Sequence, residues 1–192
     1  MKKIILLTLF VVSLSLNNAS AQESTVFIGV GTGFNANSGG LGVQLELPVA
    51  SQLSFLGGVG IGSWGAKTSL SLNYHFNPSG IGGAIGVGFA HGSGLTETTP
   101  IDVTFKDDTE SEVKFRLKPS SGINLMYHYT WQLGTKNKLV FTTGITAPLA
   151  TDRFEVIDDT EGKELNNETK QKINALAPGG LIIGLTFMFG VN

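Results

Sequence analysis

The chain has 192 residues, a formal net charge of -2 and no cysteine. These values exclude a disulfide framework and a thiolate metal site, and they leave no basic surface for nucleic acid. Charged residues make up 15% of the chain, against roughly 25% in a typical soluble domain, which favours a protein that contacts a membrane.

Residues 1–21 have the features of a signal peptide. Lys2 and Lys3 provide a basic start, an apolar run follows, and Ala-Ser-Ala at 19–21 is a small-residue cleavage site. The apolar run is too short to cross a bilayer as a mature helix. We therefore expect a secreted protein in which residues 22–192 form one domain.

From residue 25 onward, apolar residues alternate with small or polar ones, which is the period of a β-strand. Tight, turn-forming segments at 48–51, 77–80 and 134–137 alternate with longer connections at 35–40, 63–67, about 91–119 and 150–178. Short turns and both chain ends on one side are typical of an up-and-down antiparallel barrel. The eight predicted strands cover residues 26–34, 41–47, 53–62, 69–76, 81–89, 123–133, 139–146 and 181–191.

The two faces of these strands differ in composition. One face carries Leu, Ile, Val and Phe, and the other carries Gly, Ser, Thr, Asn and Ala, with Glu46 and Lys67 the only charges between residues 25 and 90. In a soluble barrel the second face would meet water and should be rich in Lys and Glu. The sequence therefore predicts an all-β fold, an eight-stranded antiparallel transmembrane barrel with its apolar wall in lipid. Its aromatic girdle near the periplasmic interface would contain Tyr74, Phe76, Tyr129 and Trp131.

The alternation, the turn pattern, the signal peptide and the aromatic-rich last strand at 181–191 resemble the small eight-stranded OmpA/OmpX-like outer-membrane barrel proteins. The resemblance implies a place in the outer membrane of a Gram-negative bacterium, in contact with its lipid and lipopolysaccharide. It also implies insertion by the barrel-insertion machinery. The chain ends on Asn192, whereas these proteins often end on an aromatic residue.

The last four strands should continue beyond the membrane. Apolar residues alternate over 101–105 and 113–117, and prolines at 100, 119, 148 and 178 fall where each strand should leave the lipid. We expect strands five to eight to form a protruding sheet with open edges, and an open edge can pair with a strand of an extracellular protein partner. The alternative is a solvated rim that only shields the barrel.

Two acidic segments of identical sequence mark the tips of these extensions. Clustered carboxylates could bind a divalent cation, but the spacing is not that of an EF-hand, and Asp is common in plain turns. The turn is therefore the favoured interpretation. The candidate metal ligands would be Asp107, Asp108, Glu110, Asp158, Asp159 and Glu161.

Inside the barrel, Glu46, His75 and His128 point inward toward the periplasmic end. They could form a gate or a proton-sensitive latch, although a satisfied interior polar cluster is the favoured interpretation. Inward glycines leave room for a narrow water path, so a narrow channel is the second functional candidate. Eight strands exclude a general porin, and four inward apolar side chains could fill the lumen: Leu56, Met126, Ile182 and Met188.

A third candidate is a lipid esterase built on His91 and Ser93, two residues apart on the outward face of strand five. The pair resembles the lipid A deacylase barrels in these two residues only, and Gly94 follows where those enzymes have Asn. The favoured prediction is a non-enzymatic outer-membrane barrel without a cofactor, structural or adhesive through its extracellular sheet.

Overall fold

The computed structural model describes residues 25–96, 101–107, 109–157, 164–176 and 179–191. The predicted signal peptide at 1–21 lies outside these residues. Eight long strands form the barrel: β1 (Val26–Ala36), β2 (Gly39–Ala50), β3 (Leu53–Gly62), β4 (Gly65–His75), β5 (Gly82–Gly92), β9 (Ser120–Leu133), β10 (Asn137–Pro148) and β12 (Gly180–Val191).

The barrel is closed, and each strand pairs antiparallel with its neighbour in the chain. The closing pair joins β1 to β12, in register from Val26 opposite Val191 to Phe34 opposite Ile183. This confirms the predicted all-β, eight-stranded antiparallel barrel. The alternation in sequence is the cause, because successive strand residues point to opposite faces and the small residues leave the interior narrow enough to close.

Two connections at one end of the barrel are shorter than predicted. The segments 35–40 and 63–67 were expected to be longer connections, but the strands run through them and leave tight turns at 37–38 and 63–64. Gly39 (φ 72°) and Gly65 (φ 84°) follow these turns in the left-handed region, which glycine adopts at little steric cost. We call this end of the barrel the cap end, and the end with the chain termini the turn end.

The long connections at the cap end form a separate small unit, which we call the cap. It consists of the described parts of residues 93–119 and 149–179. Two antiparallel pairs and one helix build it: β6 (Ile101–Thr104) with β7 (Glu110–Val113), β8 (Phe115–Leu117) with β11 (Phe154–Val156), and α1 (Asn167–Leu176).

The cap corrects one part of the prediction that strands five to eight continue as one protruding open sheet. Pairing does continue beyond the barrel, between Leu95 and Leu117 and between β8 and β11, but in short separate pieces. β9 begins directly after Pro119 and β10 ends at Pro148, since proline cannot donate a hydrogen bond to the ladder. The edge of β6 is not open either. Residues 164–166 cover it, with Lys106 N donating to Glu164 O at 2.9 Å and Asn166 N to Thr104 O at 3.1 Å.

Helix α1 was not predicted from the sequence. Asn166 precedes it, and its side-chain oxygen accepts a 2.7 Å hydrogen bond from Thr169 N, which is the N-cap arrangement. Thr169 in turn is buried against β6, where its hydroxyl donates to Thr104 O at 3.2 Å. Among the described residues no helix is long and apolar enough to cross a membrane.

Candidate functional site

A buried ionic cluster lies inside the barrel toward the turn end. The Glu46 carboxylate accepts a 2.7 Å hydrogen bond from Lys138 Nζ and lies 3.5 Å from His75 Nε2. His75 Nε2 is also 2.8 Å from Ser54 Oγ. All four residues are buried. A carboxylate and an ammonium in direct contact offset part of each other's desolvation cost. Glu46 lies on β2 and Lys138 on β10, and β1 and β12 separate these strands in the barrel, so we call the pair the polar strut across the lumen.

The predicted trio of Glu46, His75 and His128 is therefore only partly assembled. Glu46 and His75 face each other, whereas His128 Nδ1 is hydrogen-bonded to Thr142 Oγ1 at 2.9 Å. The residue that sequence reasoning missed is Lys138, the main partner of Glu46. The sequence pattern could have identified it. Lys138 lies one residue before the first residue of the predicted strand, and it continues the alternation of inward-facing residues in β10.

Apolar side chains fill the lumen beside this cluster. Leu56, Val140 and Met188 form a buried group against which Phe27 packs. The Lys138 ammonium lies 3.8 Å from the centroid of the Phe27 ring, a cation–π contact. The prediction that inward apolar residues could fill the barrel is confirmed, since Leu56, Met126, Ile182 and Met188 are all buried.

At the cap end the lumen is filled by the chain itself. Residues 35–39, which we call the inserted turn, fold into the barrel mouth, and Ala36, Asn37 and Ser38 are buried. Ser69 Oγ donates to Asn37 O at 2.8 Å, and Gln44 Nε2 donates to Ser38 Oγ at 3.1 Å. Polar side chains of the barrel wall thus hold the backbone and side chains of the turn.

Inward glycines form the socket of the inserted turn. A Cβ atom at Gly60 would lie 2.1 Å from Ser38 O, and one at Gly58 would lie 2.6 Å from Asn37 O. A Cβ atom at Gly31 would lie 2.6 Å from Ser38 Oγ. The room that these glycines leave was expected to allow a narrow water path. The inserted turn occupies it instead, because glycine lets another backbone approach closely.

The cap has an apolar core of its own, separate from the barrel lumen. Trp64, from the turn between β3 and β4, belongs to it, and its indole Nε1 donates to Lys118 O at 2.8 Å. Trp64 thereby joins the barrel to the cap. The core residues are Trp64, Val103, Phe105, Val113, Phe115, Leu117, Leu165 and Ile173, with Phe154 and Val156 packed against them.

Exposed ion pairs lie on the surface of the cap. The hydrogen bond that Lys118 donates to Asp152 holds the pKa of Lys118 above its usual value, and the hydrogen bond that Glu164 accepts from Lys106 holds the pKa of Glu164 below its usual value. Burial lowers the pKa of Arg153. Exposed pairs of this kind contribute little to stability, so the apolar core is what holds the cap together.

The acidic tips have the geometry of turns where they can be described. Asp107 Oδ1 accepts hydrogen bonds from Thr109 N at 3.2 Å and from Thr109 Oγ1 at 2.5 Å, which is an Asx-turn. Glu110 begins β7. In the described part of the chain no group of three or more metal-ligating side chains comes together. The other candidate ligands lie outside the described residues: Asp108, Asp158, Asp159 and Glu161.

The two esterase candidates have different hydrogen-bond partners. His91 Nδ1 is 2.9 Å from Ser121 Oγ on the neighbouring strand. Ser93 Oγ accepts a hydrogen bond from Ala66 N at 3.0 Å and donates to Gly94 O at 3.1 Å. The hydroxyl of Ser93 is thus engaged with the backbone at the end of β5, and it is Ser121 that His91 contacts.

Comparison with known proteins gives no match: no protein-family model, no curated protein and no solved structure matches this chain.

Proposed function

We propose that this protein is a non-enzymatic barrel of the Gram-negative outer membrane, structural or adhesive through its cap. The observation that carries the proposal is the polarity of the barrel. Most of its large apolar side chains are exposed on the outer wall, while Glu46, Lys138 and most strand polar groups are buried inside. Such a wall is unfavourable in water and favourable in lipid, where only closed barrels and helices satisfy their backbone groups.

The height of the apolar wall supports this proposal. On β9 the outward residues are apolar or aromatic from Ile123 to Leu133, and Ser121 ends the run. Residues 123 to 133, at about 3.4 Å per residue on a strand tilted by about 40°, rise roughly 25 Å, which is the height of the apolar band of outer-membrane barrels. Thr68, His91 and Ser121 pair across three neighbouring strands and would mark the outer boundary.

Aromatic side chains at the turn end support a second boundary of the apolar wall, on the periplasmic side. Tyr74 and Phe76 have ring centroids 6.2 Å apart, and those of Tyr129 and Trp131 are 4.8 Å apart. All four are exposed on the outer wall. Tyr and Trp are enriched at membrane interfaces, because their rings are amphipathic. In the proposed orientation the turn end is periplasmic and the cap is extracellular, in contact with lipopolysaccharide and available to an extracellular protein partner.

The filled lumen favours this function over a narrow channel. The Glu46–Lys138 strut and its apolar neighbours occupy the turn end, and the inserted turn occupies the cap end. In planar bilayers we therefore expect no unitary conductance steps from the purified protein. Reproducible steps that survive purification would favour the channel instead.

Surface labelling tests the location and the orientation together. The chain has no cysteine, so single-cysteine reporters need no background removal. In intact Gram-negative cells, a membrane-impermeant maleimide should label Glu112→Cys on the cap and should leave Lys136→Cys at the turn end unlabelled until the outer membrane is permeabilised. Labelling of Lys136→Cys alone in intact cells would contradict the orientation. Recovery of the protein in the soluble fraction would contradict the location.

The adhesive part of the proposal needs a separate readout. Cells that express the wild type should bind to surfaces coated with host matrix more strongly than cells that express a cap-destabilised variant such as Phe115→Ala at equal surface levels. Equal binding by both would leave the structural role as the better proposal.

A further inference from the structure

A buried lysine lies at the mouth of the barrel, on the cap-end side. The side chain of Lys67 is only 6% exposed. Its ammonium donates two hydrogen bonds to Asn35, to the backbone O at 2.8 Å and to Oδ1 at 2.7 Å. The Asn35 amide nitrogen donates to Thr146 Oγ1 at 2.9 Å, which turns its oxygen toward Lys67. An ammonium has three protons, so within the part of the chain that the structure describes one donor of Lys67 remains for another acceptor.

The charge of Lys67 is not compensated within the described residues. The lumen's other buried lysine, Lys138, is 2.7 Å from the Glu46 carboxylate. By contrast, no described carboxylate lies within 4.0 Å of Lys67, whose partners are the neutral oxygens of Asn35. A buried charge is costly unless an opposite charge accompanies it. The site therefore favours an anion.

A cleft of about 260 Å³ opens onto Lys67. Lys67 is the only charged side chain among its described lining residues, which also include Asn35, Ser63, Trp64 and six glycines. Without side chains, these glycines leave the backbone within reach of a ligand. The cleft is slightly smaller than the roughly 300–1,000 Å³ of pockets for drug-sized ligands, so it suits a single small group.

We propose that this cleft binds a phosphate-type oxyanion, either inorganic phosphate or a phosphate monoester, with Lys67 as its charge partner. Phe34 lines the cleft and is exposed on the outer wall, so an alkyl chain attached to the phosphate would have an apolar surface to follow. Two sources fit this chemistry, a free phosphate and the phosphorylated headgroup of an amphiphile. The site does not depend on the proposed adhesive role or on the location of the protein.

The direct test follows Lys67 in the wild-type protein. The protein is labelled with ¹⁵N throughout and with ¹³C-lysine and is purified in an uncharged detergent, and sodium phosphate is added at constant ionic strength against chloride. We expect a saturable shift of the Lys67 Cε–Hε NMR signal and of the Gly65 and Gly92 amides, with no saturable shift at Lys136, which is exposed at the turn end. A parallel titration uses dodecyl phosphate in mixed micelles in place of soluble phosphate.

The two titrations distinguish the sources. A response to soluble phosphate assigns the site to the free anion, and a response only to dodecyl phosphate assigns it to a headgroup. Absence of a saturable Lys67 shift in both titrations overturns the proposal. This measurement requires no substitution, so it stands even where a variant fails to fold.

Matched variants then test the role of the charge. Lys67→Met should weaken binding by about tenfold or more, because a hydrogen-bonded charge partner is lost, while Lys67→Arg should retain most of it. Lys136→Met removes the same charge at the opposite end and should bind as the wild type does. Wild-type affinity in Lys67→Met, or an equal loss in Lys136→Met, would overturn a specific site at Lys67.

Discussion

The barrel and the cap use the same residue types with opposite polarity. In the barrel, Phe89 lies on the outer wall and is 46% exposed, whereas in the cap Phe115 is fully buried at 0%. Ion pairs show the reverse arrangement. The pair of Glu46 and Lys138 is buried in the lumen, and the pair of Lys118 and Asp152 lies on the cap surface. The cap therefore buries its apolar side chains and exposes its charges, and the barrel does the reverse, which is the difference that the proposed membrane location explains.

The distribution of charge along the chain shows the same difference between the barrel and the cap. Of the 28 charged residues, ten lie between residues 97 and 118 and eleven between 152 and 172, so the two cap segments hold most of them. A unit that covers its own apolar core can expose charges to water. A wall that leaves its apolar side chains uncovered supports the proposal that lipid covers them.

The largest expected effect is in the core of the cap. Phe115→Ala should reduce the stability of the cap by about 3–5 kcal/mol, because it removes a fully buried aromatic ring and leaves a cavity. Hydrogen exchange of the amides in β6, β7 and β8 measures this loss. Phe89→Ala on the outer wall is the matched control and should leave the same amides unchanged. Equal destabilisation of the cap by both variants would contradict the separation of the two regions.

The second prediction introduces a charge at two equally exposed apolar positions. Leu185 on the barrel wall is 43% exposed and Ile157 in the cap is 42% exposed. Leu185→Arg should cost about 2–4 kcal/mol in folding into lipid bilayers, since a charge near mid-membrane is expensive. Ile157→Arg should be close to neutral, because its side chain faces water. Denaturant titration in vesicles compares them, and similar costs would break the distinction between the two surfaces.

The barrel fold could be predicted from the sequence because one rule, the alternation of inward and outward side chains, governs its strands. Alternation sets which side chains face outward, and a shift of one residue would invert the whole strand, so each run predicted which of its residues face outward and which face inward. The cap follows no single period. Helix α1 has few apolar residues and depends on contacts such as Thr169 with Thr104, which are distant in sequence. Those contacts could not be predicted from local patterns.

The candidate site was predictable in part for the same reason. The inward direction of Glu46, His75 and His128 followed from alternation, but which of them meet depends on the register between strands. The inserted turn could not be predicted, because Asn35 to Gly39 also fits an ordinary exposed turn. Only the glycines that face it across the barrel reveal that the turn is buried.

A third, smaller effect concerns the socket of the inserted turn. Gly60→Ala should cost about 1–3 kcal/mol, because the added methyl group would lie 2.1 Å from Ser38 O and force the turn outward. Gly57→Ala on the same strand is the control, since its nearest neighbouring atom would be 4.0 Å away. Thermal unfolding compares the two variants. Equal melting temperatures would show that the turn does not need this space.

The smallest effect is the pH dependence of the cap. The pKa of Glu164 is lowered by its hydrogen bond with Lys106, so its contribution is present above the unfolded pKa and is lost as pH falls through the folded pKa. The pKa of Lys118 is raised by Asp152, so its contribution is lost at the alkaline end, as pH rises through the folded pKa. Both pairs are exposed, which keeps the effects slight. Hydrogen exchange of the cap from pH 3 to 7 should show a small acid loss that Glu164→Gln removes, and an unchanged profile in that variant would contradict the assignment.

The most direct test of the account is whether lipid or water surrounds the outer wall of the barrel. Single spin labels at positions 123 to 129 of β9, in protein reconstituted into lipid vesicles, report their access to oxygen in lipid and to a water-soluble nickel complex. We expect the outward labels at Ile123, Leu125 and Tyr127 to be accessible to oxygen and shielded from nickel, and a label at Glu112 on the cap to show the opposite. Nickel access at Leu125 equal to that at Glu112 would contradict a lipid-facing wall.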